Sequence, residues 1–241
     1  MQVIITENYE EMSKIAAELI IGIVKNNPNA ILGLATGSSP IGTYQNMIKD
    51  HEKNGTSYKA VRTVNLDEYV GLTADHDQSY AYFMRSNLFD HIDIPLQNTN
   101  LPSGSAPDVQ AECDRYNALL ATMQQDVQVL GLGSNGHIGF NEPGTSLSSV
   151  THLVDLTENT IKDNSRLFAS IDEVPKQALS MGIKNIMQAK SIVMVVSGKN
   201  KAQAVKGMVQ GEITTDLPAS VLQLHPCVTV ICDKDAASLL A

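Results

Sequence analysis

Three short segments of the sequence hold residue types that could do chemistry. The richest is Leu130-Gly131-Leu132-Gly133-Ser134-Asn135-Gly136-His137-Ile138-Gly139-Phe140-Asn141-Glu142-Pro143. Its glycines imply unusual backbone geometry, while Asn135, His137, Asn141 and Glu142 bring titratable and hydrogen-bonding groups into one loop. Imidazole titrates near neutral pH, and a carboxylate five positions on can orient it and support its charge. His137 with Glu142 is therefore a candidate acid–base pair. The second segment is Asn65-Leu66-Asp67-Glu68-Tyr69, in which a carboxylate arrives at the end of an apolar run. In an open α/β sheet that position borders the ligand crevice, although adjacent acids also occur as plain surface charge or helix-start carboxylates. The third is Leu34-Ala35-Thr36-Gly37-Ser38-Ser39-Pro40. A tight glycine turn, hydroxyl donors and the N–H groups of a helix start would suit a phosphate. The same residues would also make an ordinary strand-to-helix turn capped by Ser39, and this segment alone leaves both readings open.

The elements that must position these groups are written in the hydrophobic pattern. Apolar runs at Val3–Thr6, Ala30–Ala35, Val61–Leu66, Val127–Leu132, Ser191–Ser197 and Val228–Cys232 are continuous rather than alternating. Such runs predict strands covered on both faces, as in a parallel sheet flanked by helices. Asn8 with Glu11 marks the start of a helix that carries Met12, Ile15, Ala16, Leu19, Ile20 and Ile23 until Asn26-Asn27-Pro28 stops it. Further helices are predicted from Pro40, from Pro107-Asp108 through Leu120, and over Lys201–Val209 to Gly211. Thr145–Met181 mixes short elements and is expected to form a flap over one end of the sheet.

With 241 residues, 43% of them hydrophobic, one α/β domain over residues 1–241 can bury a substantial core. A formal net charge of −9 opposes nucleic acid and anionic membranes as partners, so an anionic substrate must be caught by local cations and N–H donors. No apolar stretch approaches the ~20 residues of a membrane span and no secretory leader is recognisable, which predicts a cytoplasmic protein. Cys113, Cys227 and Cys232 form no ligand cluster and are expected to be buried, reduced thiols. The histidines lack metal-ligand spacing, and Asp75-His76-Asp77 reads as a solvated turn. No metal is expected.

Taken together, TGSSP, NLDEYVGL and GLGSNGHIGFNEP resemble the glucosamine-6-phosphate deaminase family of glucosamine/galactosamine-6-phosphate isomerases. The likeness extends to SYAYFMRSNLFDHIDIP, NSRLF, VPKQALSMGI and SGKNKA, so it spans nearly the whole chain. It implies a single-domain, Rossmann-like three-layer α/β fold with a mainly parallel sheet and a helical flap roughly at 145–181. It also implies a hydrolase or isomerase of amino-sugar catabolism, without cofactor, that converts glucosamine 6-phosphate and water to fructose 6-phosphate and ammonia. By resemblance, Asp67 is the base working between C2 and C1, and His137 with Glu142 serves ring opening. Thr36, Gly37, Ser38, Ser39, Arg166 and Lys201 hold the phosphate.

Two departures from the family pattern bear on mechanism. Asn135 stands where many relatives have an aspartate credited with assisting ring opening; an amide can orient His137 but cannot exchange protons. Thr151-His152-Leu153-Val154 lacks the basic pair of the allosteric relatives, and the chain is short after Asp233-Lys234-Asp235. A monomeric, non-allosteric enzyme is expected. The competing readings are a 6-phosphogluconolactonase, whose glycine–histidine loop continues differently, and a phosphosugar-sensing module, which would not need Asp67, His137 and Glu142.

Overall fold

The computed structural model describes residues 1–165, 168 and 170–241. In chain order its elements are β1 (Gln2–Thr6), α1 (Tyr9–Asn26), β2 (Ile31–Leu34), α2 (Ile41–Asn54), β3 (Arg62–Asn65), β4 (Asp67–Tyr69), α3 (Tyr80–Asn87) and β5 (Thr99–Asn100). There follow α4 (Val109–Thr122), β6 (Val127–Leu130), β7 (His152–Asp155), α5 (Glu158–Asn164), β8 (Gln177–Ser180), α6 (Ile183–Ile186), β9 (Ile192–Val196), α7 (Ala202–Gln210) and β10 (Val228–Asp233).

Seven parallel strands form the main sheet in the order β1-β10-β9-β6-β2-β3-β5. Every residue of β2, β6 and β9 is buried, which is why these central strands read as unbroken apolar runs. The run expected to continue to Leu132 ends as a strand at Leu130, because Gly131 and Leu132 already belong to the loop beyond it. Helix α1 starts where its cap places it: Asn8 Oδ1 accepts the Glu11 N–H at 2.9 Å. Its apolar face, including Met12, Ala16, Ile20 and Val24, is buried, and the helix packs on α2, β9 and β10. Asp108 caps α4 in the same way through the Ala111 N–H at 3.0 Å. The result is the helix-flanked parallel sheet that the pattern predicted and the three-layer α/β fold that the resemblance implied.

The smaller sheet, β4-β8-β7, is antiparallel and was not legible in advance. It places two strands inside the expected helical flap, beside the short helix α5. Tyr69, Phe140, Val154, Leu156 and Ala178 form a second apolar cluster against which Tyr80, Ile161 and Phe168 pack, and this cluster seats the small sheet. Cys113 and Cys232 are buried free thiols, but Cys227 is exposed, contrary to expectation, because it precedes β10 instead of lying within it. Among the described residues no helix is long and apolar enough to cross a membrane.

Candidate active site

Strands β9, β6, β2 and β3 are neighbours in the sheet, and each of the singled-out segments leaves one of their carboxyl ends. From β2 the chain passes to β3 on one side and later to β6 on the other, so the order reverses between β2 and β6. A parallel sheet opens a crevice at such a switch point. Here it is a cleft of about 520 Å³, and Thr36, Gly37, Ser38, Ser39, Asp67, His137 and Lys201 all line it. Asn135 and Glu142 stand behind His137 and are not part of the lining. Arg166, expected at the phosphate, lies outside the described residues.

The turn after β2 is held from outside by two tyrosines. The Tyr44 hydroxyl accepts the Ala35 N–H at 3.2 Å and donates to the Ala35 carbonyl at 2.5 Å. Tyr9 donates to the Ser38 carbonyl at 2.9 Å and accepts the Gly42 N–H at 2.8 Å. Gly37 takes φ 94°, where a side chain would be strained. Helix α2 is capped at Pro40 with no side-chain bond, so Ser39 does not act as its cap. Thr36, Gly37, Ser38 and Ser39, which lead into this helix, line the cleft together, an arrangement suited to an oxyanion. Lys201 joins this group from the turn after β9, which Asp233 fixes by accepting from Ser197 Oγ at 2.5 Å and from the Gly198 N–H at 3.1 Å.

Asp67 enters the cleft because of a one-residue handover between sheets. Leu66 donates its N–H to the Leu34 carbonyl at 3.1 Å and accepts the Met181 N–H at 2.7 Å, so the chain leaves β3 and starts β4 without bending away. Successive side chains along an extended chain point in opposite directions. Asp67 therefore faces the cleft, whereas Glu68 faces α3 and accepts the N–H groups of Tyr69, Tyr80 and Ala81, each at 2.9 Å. Glu68 is the helix-start carboxylate of the pair, and the backbone bonds offset part of the upward push that burial gives it. Burial, reinforced by the Glu68 charge, pushes the Asp67 carboxyl up to about 8.

The histidine loop closes on itself through Gly136 N–H to Gly133 carbonyl at 3.0 Å and Gly133 N–H to His137 carbonyl at 2.9 Å. Gly133 lies flat against the imidazole: a Cβ there would sit 2.5 Å from His137 Nδ1 and Cε1. His137 Nδ1 approaches Glu142 Oε2 at 3.4 Å, near enough for charge pairing but too poorly aligned for a hydrogen bond. Asn135 braces both partners, donating Nδ2–H to Glu142 Oε2 at 2.7 Å and accepting the His137 N–H at 3.2 Å. The two bonds together fix the amide orientation, since a flip would lose both. An aspartate at 135 would instead set one carboxylate oxygen against another. Burial opposes ionisation of Glu142, but His137, Thr160 and Asn135 outweigh it and hold the carboxyl down at about 2.

Two lining residues escaped the sequence reading. Tyr80 lines the cleft, stacks on Phe140 at 6.1 Å with 11° between the ring planes, and hydrogen-bonds Tyr69 and Thr36. Thr160 on α5 lines the cleft and donates to Glu142 Oε1 at 2.5 Å. Tyr80 lies in SYAYFMRSNLFDHIDIP but was given no role there, and Thr160 lies in none of the quoted segments; the contact between Thr160 and Glu142 joins residues 18 positions apart. Among the described residues no group of three or more His, Cys, Asp and Glu side chains could hold a metal ion. The cleft thus combines a carboxyl that ionises near neutrality, an imidazole backed by a fixed carboxylate, and a donor-rich turn. That set can move protons on a small anion.

The family described as glucosamine-6-phosphate isomerases/6-phosphogluconolactonase matches residues 6–230. This chain belongs to that family. Within it, the chain is 53% identical over 241 residues to a glucosamine-6-phosphate deaminase of Geobacillus sp. (strain WCH70), covering 100% of this chain and 96% of that one. A solved structure of a monomeric glucosamine-6-phosphate deaminase superposes with TM-score 0.98 at 49% identity, covering 99% of this chain and 100% of the other. A 6-phosphogluconolactonase from Trypanosoma brucei reaches TM-score 0.80 at 22% identity over 100% and 98% of the two chains, a likeness of fold alone.

Proposed function

We propose that the protein converts glucosamine 6-phosphate and water to fructose 6-phosphate and ammonia. The observation that carries this reading is the lining of one cleft by Asp67, His137 and the Thr36–Ser39 turn, and the full-length similarity to deaminases supports it. The phosphate binds at Thr36, Gly37, Ser38 and Ser39 with Lys201, and Arg166 completes the clamp. His137, its charge supported by Glu142, carries the C1 hydroxyl proton to the ring oxygen; the C1–O5 bond breaks and the aldehyde forms. Asp67 as carboxylate then removes the C2 proton, giving an enolamine, and returns that proton to C1. The C2 imine that results adds water and expels ammonia. Burial makes Asp67 a stronger base than an ordinary carboxylate, which suits a carbon acid. Electrons only redistribute within the substrate, so the sequence of steps balances without an oxidant or reductant.

The enzyme is better described as a deaminating isomerase than as a hydrolase, because water enters only after the proton transfer that defines the reaction. The opposite orientations of Asp67 and Glu68 favour this reading over lactone hydrolysis, which does not need a base between two carbons. The test is ammonia release from glucosamine 6-phosphate by wild type and Asp67→Asn. The wild type is expected to turn over; the variant is expected to lose at least about a thousandfold in kcat while still binding the sugar phosphate, as removal of a group acting only in the transition state does. Hydrolysis of 6-phosphogluconolactone with no ammonia from the amino sugar would establish the lactonase instead. Binding without turnover by the wild type would point to a sensor.

A further inference from the structure

The two oxygens of Glu142 face different parts of the molecule. Oε2 meets its own loop, taking Asn135 Nδ2–H at 2.7 Å and lying 3.4 Å from His137 Nδ1. Oε1 meets α5, where Thr160 Oγ1 donates to it at 2.5 Å in a buried bond. The Thr160 hydroxyl in turn lies 3.0 Å from Thr157 Oγ1, the residue that caps α5. Glu142 is thus gripped from two sides, and one grip comes from the segment between β7 and β8.

We propose that Thr160 is a positioning residue: by holding Glu142 Oε1 it sets the carboxylate plane that keeps Oε2 on His137, and it ties ring opening to the seating of α5. This inference rests on the deaminase reading of the site. A carboxylate held at both oxygens cannot turn about its Cγ–Cδ bond, whereas one held only through Oε2 can swing that oxygen away from the ring. His137 is already poorly aligned, so a small rotation decides whether its positive charge is supported when the C1 hydroxyl gives up its proton. The cluster on which Ile161 of α5 packs includes Ala178 of strand β8, and β8 pairs with β4 at the base itself, Ser180 opposite Asp67. Placement of the carboxylate and of the base therefore refer to one small sheet.

The test compares wild type, Thr160→Val and Thr160→Ser in steady-state ammonia release from glucosamine 6-phosphate. Valine keeps the shape and removes the donor; the capping bond from the Thr160 N–H to Thr157 Oγ1 at 3.3 Å remains while the hydroxyl contact between the two is lost, so thermal melts check that each variant folds. Binding of the reduced, permanently open sugar, 2-amino-2-deoxyglucitol 6-phosphate, reports the phosphate clamp without ring opening. Thr160→Val is expected to lose about tenfold to a hundredfold in kcat, the range for a bond to a charged group, with KM and binding of the open sugar changed less than about threefold. Thr160→Ser is expected to restore most of the rate. If wild type releases ammonia and Thr160→Val keeps its kcat, or loses KM and open-sugar binding in proportion, the positioning role is overturned while the deaminase reading stands. Absence of ammonia from the wild type overturns both.

Discussion

Ionising Asp67 is costly because the carboxyl is buried beside Glu68, and the cost has a definite pH signature. Its ordinary value of 3.8 becomes about 8 in the fold, so between these limits the folded protein holds a proton that the unfolded chain has released. Stability contributed by this group is fully present below about pH 4 and is lost as pH rises toward 8. At about 1.4 kcal/mol for each pH unit of displacement, the loss above that window amounts to a few kcal/mol. Asp67→Asn keeps the shape and cannot ionise. Its melting temperature is expected to match wild type near pH 4 and to exceed it by several degrees at pH 9, the gap opening between those values. Equal melting temperatures across the range would mean that Asp67 is not buried at a cost. Glu142 has the opposite sign: its partners hold it at about 2, so its contribution is present above 4.5 and fades as pH falls toward 2. In the proposed reaction one acid is kept basic for proton abstraction and the other is kept charged to support an imidazolium.

At the scale of elements, loops of fixed shape hold the groups that react. The loop after β6 seats the His137 ring against the bare Cα of Gly133, with 2.5 Å from a hypothetical Cβ to Nδ1. No alanine fits unless the ring moves. Gly133→Ala is therefore expected to lower kcat by about a hundredfold, the penalty of a misplacement near 1 Å, while KM changes little because the phosphate turn belongs to β2. A kcat within threefold of wild type would show that the ring position is not limiting. The element scale also explains what the sequence revealed and what it hid. Strands β2, β6 and β9 were legible because they are buried on both faces. Strand β4 was not: it is three residues long and follows β3 after a single residue, so its pairing with β8 leaves no pattern of its own. That hidden strand decides which of Asp67 and Glu68 reaches the cleft, and so the pair stayed ambiguous in the sequence. The histidine loop was readable from its glycines together with His137 and Glu142 five residues apart, whereas Tyr80 and Thr160 line the cleft from α3 and α5.

On the scale of the whole molecule, the site is built from the ends of four adjacent strands and braced by bonds inside the same chain. Asp233 fixes the turn that carries Lys201, Asn135 and Thr160 fix Glu142, and Glu68 fixes the start of α3. The formal charge of −9 gives no long-range attraction for a phosphate dianion, so in the proposed reading capture falls to the local donors and Lys201 of the cleft. None of these braces, all between described residues, calls for a residue from a second copy. Cooperative binding needs two global states that the ligand distinguishes. The expected behaviour is a single species of one-chain mass in sedimentation at assay concentration, with a hyperbolic dependence of rate on glucosamine 6-phosphate. Addition of N-acetylglucosamine 6-phosphate is expected to leave the shape of that curve unchanged or to inhibit by competition at the same phosphate turn. A sigmoidal curve straightened by the acetylated sugar, accompanied by a larger species, would require a subunit interface that couples to the cleft and would overturn the one-chain account.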